Sequence, residues 1–185
     1  TLTHYNCAAP LVENDNDSGD GSLRKAIEEA CPGATIAFTN DQTIYLDSPL
    51  TINKTLTLDG STQEVVISGD SGNDGTRNVQ PFRIQSSGVV TITHLSVISG
   101  TTSNTGGGAI LNQGDLRVYN SYFQNNHSTT GSGGGAIYST NRLTVLNSTF
   151  YSNTAEIGGG ISVEGQGTIA NSTFSTNRVV REGGG

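Results

Sequence analysis

Downstream of residue 105, apolar side chains alternate with polar ones inside short pieces of about three to five residues, the period of a half-buried strand. The pieces recur in phase: Leu116-Arg117-Val118, Leu143-Thr144-Val145 and Thr168-Ile169. Each is followed by an Asn-Ser element, at Asn120-Ser121-Tyr122-Phe123, Asn147-Ser148-Thr149-Phe150 and Asn171-Ser172-Thr173-Phe174. Three residues beyond each Phe stands an Asn: Asn126, Asn153 and Asn177. Glycine triplets ending at Gly108, Gly135, Gly160 and Gly185 mark steps of 27, 25 and 25 residues.

A repeat of this length, with three short strands per period, predicts an all-β fold: a right-handed, single-stranded parallel β-helix of the pectin-lyase-like solenoid type. No coil can bury its own apolar face, so each must be covered by the next. Stacking at about 4.8 Å puts Phe123, Phe150 and Phe174 in one column. It puts Asn126, Asn153 and Asn177 in another, where each side-chain amide bonds its neighbours as a ladder. The glycines suit bends of positive φ or places where coils approach closely. Upstream, Leu50-Thr51-Ile52, Leu56-Thr57-Leu58, Val65-Val66-Ile67, Phe82-Arg83-Ile84 and Val90-Thr91-Ile92 read as earlier, irregular coils, for about five to six in all.

The spacing predicts a single helix over 22–31, with Leu23, Ala26, Ile27 and Ala30 on one stripe, a Gly21-Ser22 start and a Pro32-Gly33 stop. An amphipathic helix at this end serves as the lid of the solenoid. The expected organisation is one domain over 1–185. It comprises a cap (1–40), irregular coils (41–105) and regular repeats (106–185), and is expected to continue in a longer parent.

Composition narrows the class. Gly, Ser, Thr and Asn make 86 of 185 residues, poor material for a helical bundle. There is no apolar run near 18 residues, so this segment is expected not to insert into a membrane. The net charge of −7 argues against a nucleic-acid partner. Charge is uneven: residues 1–78 carry 12 acids and four bases, residues 79–185 four acids and five bases. The two cysteines, Cys7 and Cys31, flank the helix; in a chain of this composition they favour a disulfide and a secreted, extracellular setting.

Candidate chemistry is sparse. Asp15, Asp17 and Asp20 in the run Asn14–Gly21 present oxygen ligands at alternate positions, so calcium is the one cofactor considered. The competing reading is an acidic loop favouring the helix start. Asp70–Gly75 reads as a turn insertion. On the regular coils no column collects two acids; Asp115 falls beside Arg142, which predicts a surface ion pair. His4, His94 and His127 form no trio with Ser and Asp, and His94 occupies the turn position of Asn120. No catalytic residue is assigned.

Gly-Gly-Ala-Ile followed by Phe-x-x-Asn, at Gly107–Ile110 with Phe123–Asn126 and Gly134–Ile137 with Phe150–Asn153, resembles the repeats of chlamydial polymorphic outer-membrane proteins. Asn16–Ile27 resembles the bacterial domain named for its Cys-Ser-Leu-Arg-Glu-Ala signature, with Gly21 in place of the Cys and Lys25 in place of the Glu. These resemblances imply a bacterial, cell-surface β-helix with a helical cap, and no defined reaction. The leading expectation is therefore a non-enzymatic adhesin-like or structural module with a carbohydrate or host-surface ligand. This reading further expects no cleft with two or more convergent acids, and such a cleft would overturn it. The alternative is a polysaccharide-binding or -degrading β-helix that uses the acidic half, with Asp59, Asp70 and Asp74 as candidates. End-to-end self-stacking through an open C-terminal coil is a further expectation.

Overall fold

The computed structural model describes residues 10–104, 106–129, 131 and 133–180. It is a parallel β-solenoid of about six coils with one helix. Every strand pair is parallel, and the strands stack into sheets of seven, six, five and four strands that form the walls. No helix among the described residues is long and apolar enough to cross a membrane.

Register follows the repeat. Leu116 lies against Leu143, and Val118 against Val145, in the seven-stranded sheet. Phe123, Phe150 and Phe174 pair in sequence in the six-stranded sheet. Ile110, Ile137 and Ile161 do so in the five-stranded sheet. The irregular coils continue the same columns: Val97 and Ile67 run on from Phe123, and Phe82 and Leu50 from Ile110. Inward residues from Val12 to Phe150 are buried in one continuous core, with Ile161 and Val163 of the next coil packed against it.

Each later coil has four strands rather than the three expected. The fourth is a two-residue strand just after the ladder asparagine: Thr101–Thr102, His127–Ser128, Thr154–Ala155 and Arg178–Val179. Two residues are too few to display an alternating pattern, so periodicity passes over them.

Two turns join the walls, and each repeats a left-handed residue. His94, Asn120, Asn147 and Asn171 have φ of 55°, 47°, 52° and 50°. Ser99, Asn125, Ser152 and Thr176 have φ of 52°, 55°, 53° and 59°. Asn tolerates this region better than most residues, which explains the Asn of Asn-Ser. The glycine triplets serve close approach more than positive φ. A Cβ at Gly134 would collide with the Ile137 carbonyl, and one at Gly135 with the Gly159 carbonyl.

The helix spans Leu23–Glu29, shorter than 22–31 because Ser22 is its N-cap, its side chain accepting from the Lys25 amide. Ala30 already leaves helical geometry at ψ 131°. Leu23, Ala26, Ile27 and Ala30 join the solenoid core, so the helix closes the N-terminal end. Lys54 Nζ donates to the carbonyls of Glu28 and Ala30, fixing the last turn where a cation favours the helix dipole.

The Phe123 and Phe150 rings lie 4.8 Å apart and 3° from parallel, and Phe150 and Phe174 are 4.9 Å apart. Phe150 thus contacts aromatic rings on both sides. Phe150→Ala is expected to lower unfolding free energy by about 3–5 kcal/mol in chemical denaturation; Phe174→Ala, at the half-exposed end of the column, should cost less.

Candidate functional site

Two regions gather polar side chains: the acidic cap and the wall beside the four-stranded sheet. In the cap, Arg24 projects from the helix into the loop before it. Its guanidinium donates to both Asp17 carboxylate oxygens, at 2.7 and 3.2 Å, and to the carbonyls of Ser48 and Pro49. Asp17 also accepts from the Asp47 amide at 2.9 Å. One partly buried charge pair therefore ties loop, helix and first coil together.

The three aspartates considered for calcium are not brought to one point. Asp17 is committed to Arg24. The Asp20 backbone carbonyl accepts from Asn14 Nδ2, and the residue is exposed. Asp15 lines an open cleft instead. Among the described residues no group of three or more His, Cys, Asp or Glu converges as a metal site would. Cys7 and His4 lie outside the described residues; Cys31 sits half-buried after the helix. The Cys7–Cys31 pairing accordingly stands as a proposal.

The cleft is the one place where acids of different segments come near one another among the described pockets. Glu13, Asp15, Asp41 and Glu64 line an open volume of about 670 Å³, with Asn14, Asn40 and Gln42 among them. Acids do gather, in the irregular half, where positions 13, 15, 41 and 64 share no repeat phase. Asp41 Oδ1 accepts the Glu64 amide at 2.8 Å, so one of the four is spent on linking adjacent coils. The lining includes no Lys, Arg or His. The arrangement attracts cations, and its carboxylates are of the type that serves as general bases, but the lining holds no positive side chain to steady a developing anion.

Asp59, Asp70 and Asp74 each serve local backbone. Asp59 accepts from Ser61, and Asp74 from Thr76, whose bonds hold the Asp74 pKa below the usual carboxylate value. Asp70, 8% exposed, accepts from the amides of Asp74 and Gly75 and so clamps the 70–78 insertion. Asp115 does sit in register with Arg142, but its ion pair is with Arg117 at 3.1 Å; Arg142 reaches Gln166. Arg117, two positions along the same strand face, is the nearer partner.

Along the four-stranded sheet runs a polar groove. One part, about 330 Å³, is lined by Asp47, Asn78, Gln80, Arg83 and Asn104; the next, about 380 Å³, by His127, Glu156 and Val180, and the two share Thr129. Gln80 is buried, donates to the Gly107 carbonyl and accepts from Arg83 Nε at 2.9 Å, which holds the guanidinium at the groove. Burial, and then the nearby Arg77 charge, hold the His127 pKa below the ordinary 6.5.

Each ladder asparagine immediately precedes a strand of the four-stranded sheet. Asn126 donates from its backbone N–H and its Nδ2 to Asn153 Oδ1, both at 3.0 Å. Asn153 repeats this toward Asn177 Oδ1, at 3.0 and 2.9 Å. The same side chains cap the Val97, Phe123 and Phe150 carbonyls. A second ladder was not anticipated: the Ser121 amide donates to Ser148 Oγ and the Ser148 amide to Ser172 Oγ, both at 3.2 Å. The invariance of Ser within the Asn-Ser pairs of the repeat was the signal for it.

Sequence comparison reaches one of these coils. Residues 120–140 match the Chlamydia polymorphic membrane protein repeat. The match spans the left-handed Asn120, the Ser121 and Asn126 rungs and the Gly133–Gly135 triplet. Together with the stacked parallel coils, it fits a bacterial surface-type β-helix. No curated protein matches the chain. Among solved structures, that of jun a 1, the major allergen from cedar pollen, is similar at 17% identity with a TM-score of 0.42, over 89% of this chain and 59% of that one. The chain thus spans less than two thirds of that protein.

For His127, an NMR titration should give a midpoint below 6.5, and Arg77→Gln should raise it while burial still keeps it under 6.5. The unfolded chain takes up this proton more readily. The stabilisation is therefore present above pH 6.5 and is lost as pH falls through the lower folded-state value. A midpoint at or above 6.5 contradicts this geometry.

Proposed function

We propose that the protein is a non-catalytic module of a bacterial surface protein: an extracellular, adhesin-like rod that presents its long walls to a carbohydrate ligand. The observation that carries this reading is the use to which the carboxylates are put. Asp17, Asp59, Asp70, Asp74 and Asp115 are each engaged in a bond that holds a turn, a loop or an ion pair. Glycoside chemistry needs two carboxyls poised across one bond, one of them free to carry a proton. The groove beside the four-stranded sheet offers what recognition needs instead: amides, hydroxyls and a fixed guanidinium on a rigid wall.

The likeness of Asn16–Ile27 to the Cys-Ser-Leu-Arg-Glu-Ala domain supports a bacterial cap. Its shared positions have distinct work here, with Ser22 as N-cap, Leu23 and Ala26 in the core and Arg24 as the loop anchor. Lys25, which replaces the Glu, pairs with Glu29 on the helix surface. A Cys7–Cys31 disulfide would suit the extracellular setting and would show as a linked peptide in non-reducing mass spectrometry.

The decisive experiment incubates the chain with a panel of neutral and acidic polysaccharides, measuring binding and chain cleavage together. Saturable binding without cleavage is expected, weakened about tenfold by Arg83→Ala, the effect of losing about 1.4 kcal/mol of contact. Glu64→Gln should leave binding unchanged. Release of new chain ends that Glu64→Gln abolishes would make the acidic cleft an active site and overturn the reading.

A further inference from the structure

Among the described residues, Arg24, Lys25 and Arg117 are held in ion pairs, with Asp17, Glu29 and Asp115. Arg83 is held as well, but by a neutral group. It stands exposed at the middle of the strand Phe82–Ile84, whose two flanking side chains are buried and fix the strand on the core. Its Nε donates to Gln80 Oε1 at 2.9 Å. Gln80 is itself buried, and its Nε2 donates to the Gly107 carbonyl at 2.6 Å. That second bond decides the orientation of the amide: turned over, its oxygen would face a carbonyl and its NH2 a guanidinium. Gly106 leaves the room for it, since a Cβ there would stand 2.7 Å from Gln80 Nε2.

A guanidinium offers two edges on which a carboxylate can sit with both oxygens bonded. Gln80 occupies Nε, so the edge left for a planar, two-oxygen anion is the end-on one, Nη1 with Nη2. A carboxylate arriving there displaces no acid of the chain, because no ion pair among the described residues involves Arg83. Asp47 lines the same part of the groove, yet its Oδ1 accepts from Ser71 Oγ at 2.6 Å instead. The neighbouring Asn78, Thr101 and Thr102 bring amide and hydroxyl groups to the lining, which suit a hydroxyl-rich chain. Asp47 opposes a ligand of dense negative charge, so the fit is to carboxylates spaced among neutral sugar hydroxyls.

We propose that this groove selects acidic polysaccharides through their uronic-acid carboxylates, with Arg83 binding one carboxylate end-on and Gln80 as its positioning residue. The proposal rests on the reading of the groove as a carbohydrate surface and adds the charge and geometry of what it selects.

The test measures affinity of the intact chain for hyaluronate and alginate, each beside the same polymer with its carboxylates reduced to alcohols, and for dextran sulfate. The uronate forms are expected to bind about tenfold more tightly than their reduced forms, the effect of one charge-assisted pair. Arg83→Ala should erase that preference while leaving affinity for the reduced polymers within about twofold. Arg83→Lys, which keeps the charge without the planar fork, should restore only part of it. Gln80→Leu should lower the preference in protein whose circular dichroism shows the solenoid intact, an effect that a purely structural role would not have on a ratio of affinities. Equal binding of the uronate and reduced polymers overturns the proposal and leaves the carbohydrate reading standing. So does a uronate preference that survives Arg83→Ala, or dextran sulfate bound as tightly as hyaluronate through Arg83. A preference untouched by Gln80→Leu removes the positioning role. Binding of none of these polymers defeats the carbohydrate reading, and the proposal with it.

Discussion

Everything in this solenoid depends on keeping adjacent coils in one parallel register, and the buried asparagine column is where a slip would be least tolerated. A parallel sheet by itself accepts displaced pairings, because its backbone bonds are evenly spaced. Asn126 and Asn153 are almost wholly buried, and each satisfies a carbonyl, an amide and the next asparagine at once. A shift by one residue would strand those groups without water, at a cost of about 1–3 kcal/mol for each. The Phe column pulls in the same direction, since rings stacked at 4.8 Å lose their contacts when displaced.

This explains both what was legible in the residues and what was not. The regular coils declared themselves because fold and repeat share one period: Phe123, Asn126 and their successors are spaced by the circumference of the solenoid. The fourth wall stayed hidden, for a strand such as His127–Ser128 has no room for an alternating pattern. The serine ladder had a signal, the fixed Ser after each left-handed Asn, but a hydroxyl that bonds a backbone amide in another coil leaves no periodic apolar trace. In the cap, Arg24 meets Asp17 and the 48–49 turn through loop geometry that no repeat dictates. The acidic cleft is the same kind of feature, assembled from four positions on irregular segments.

The fold also constrains what the chain can do. A narrow solenoid turns most side chains either into a thin core or outward onto flat walls, so a concave site needs an insertion or an irregular coil. Several acids in those irregular parts are consumed in holding them: Asp70 clamps its own insertion, Asp41 braces the next coil, Asp17 anchors the helix loop, while Glu13, Asp15 and Glu64 line the open cleft. What is left for partners is that acidic cleft and a rigid, periodic surface with a polar groove along one side. That combination suits display and recognition, in keeping with the surface-type repeat at residues 120–140.

The central claim is that the asparagine column holds the coils in register, and the unfolding free energy of Asn153→Ala measures it most directly. The substitution removes the acceptor of Asn126 and the donor to Phe123 while leaving the apolar core intact. A loss of about 2–4 kcal/mol is expected, from two or more buried groups left unpaired. Asn177→Ala, at the open end of the column, should cost distinctly less. A loss under about 0.5 kcal/mol for Asn153→Ala, the range of an ordinary surface change, would contradict the account.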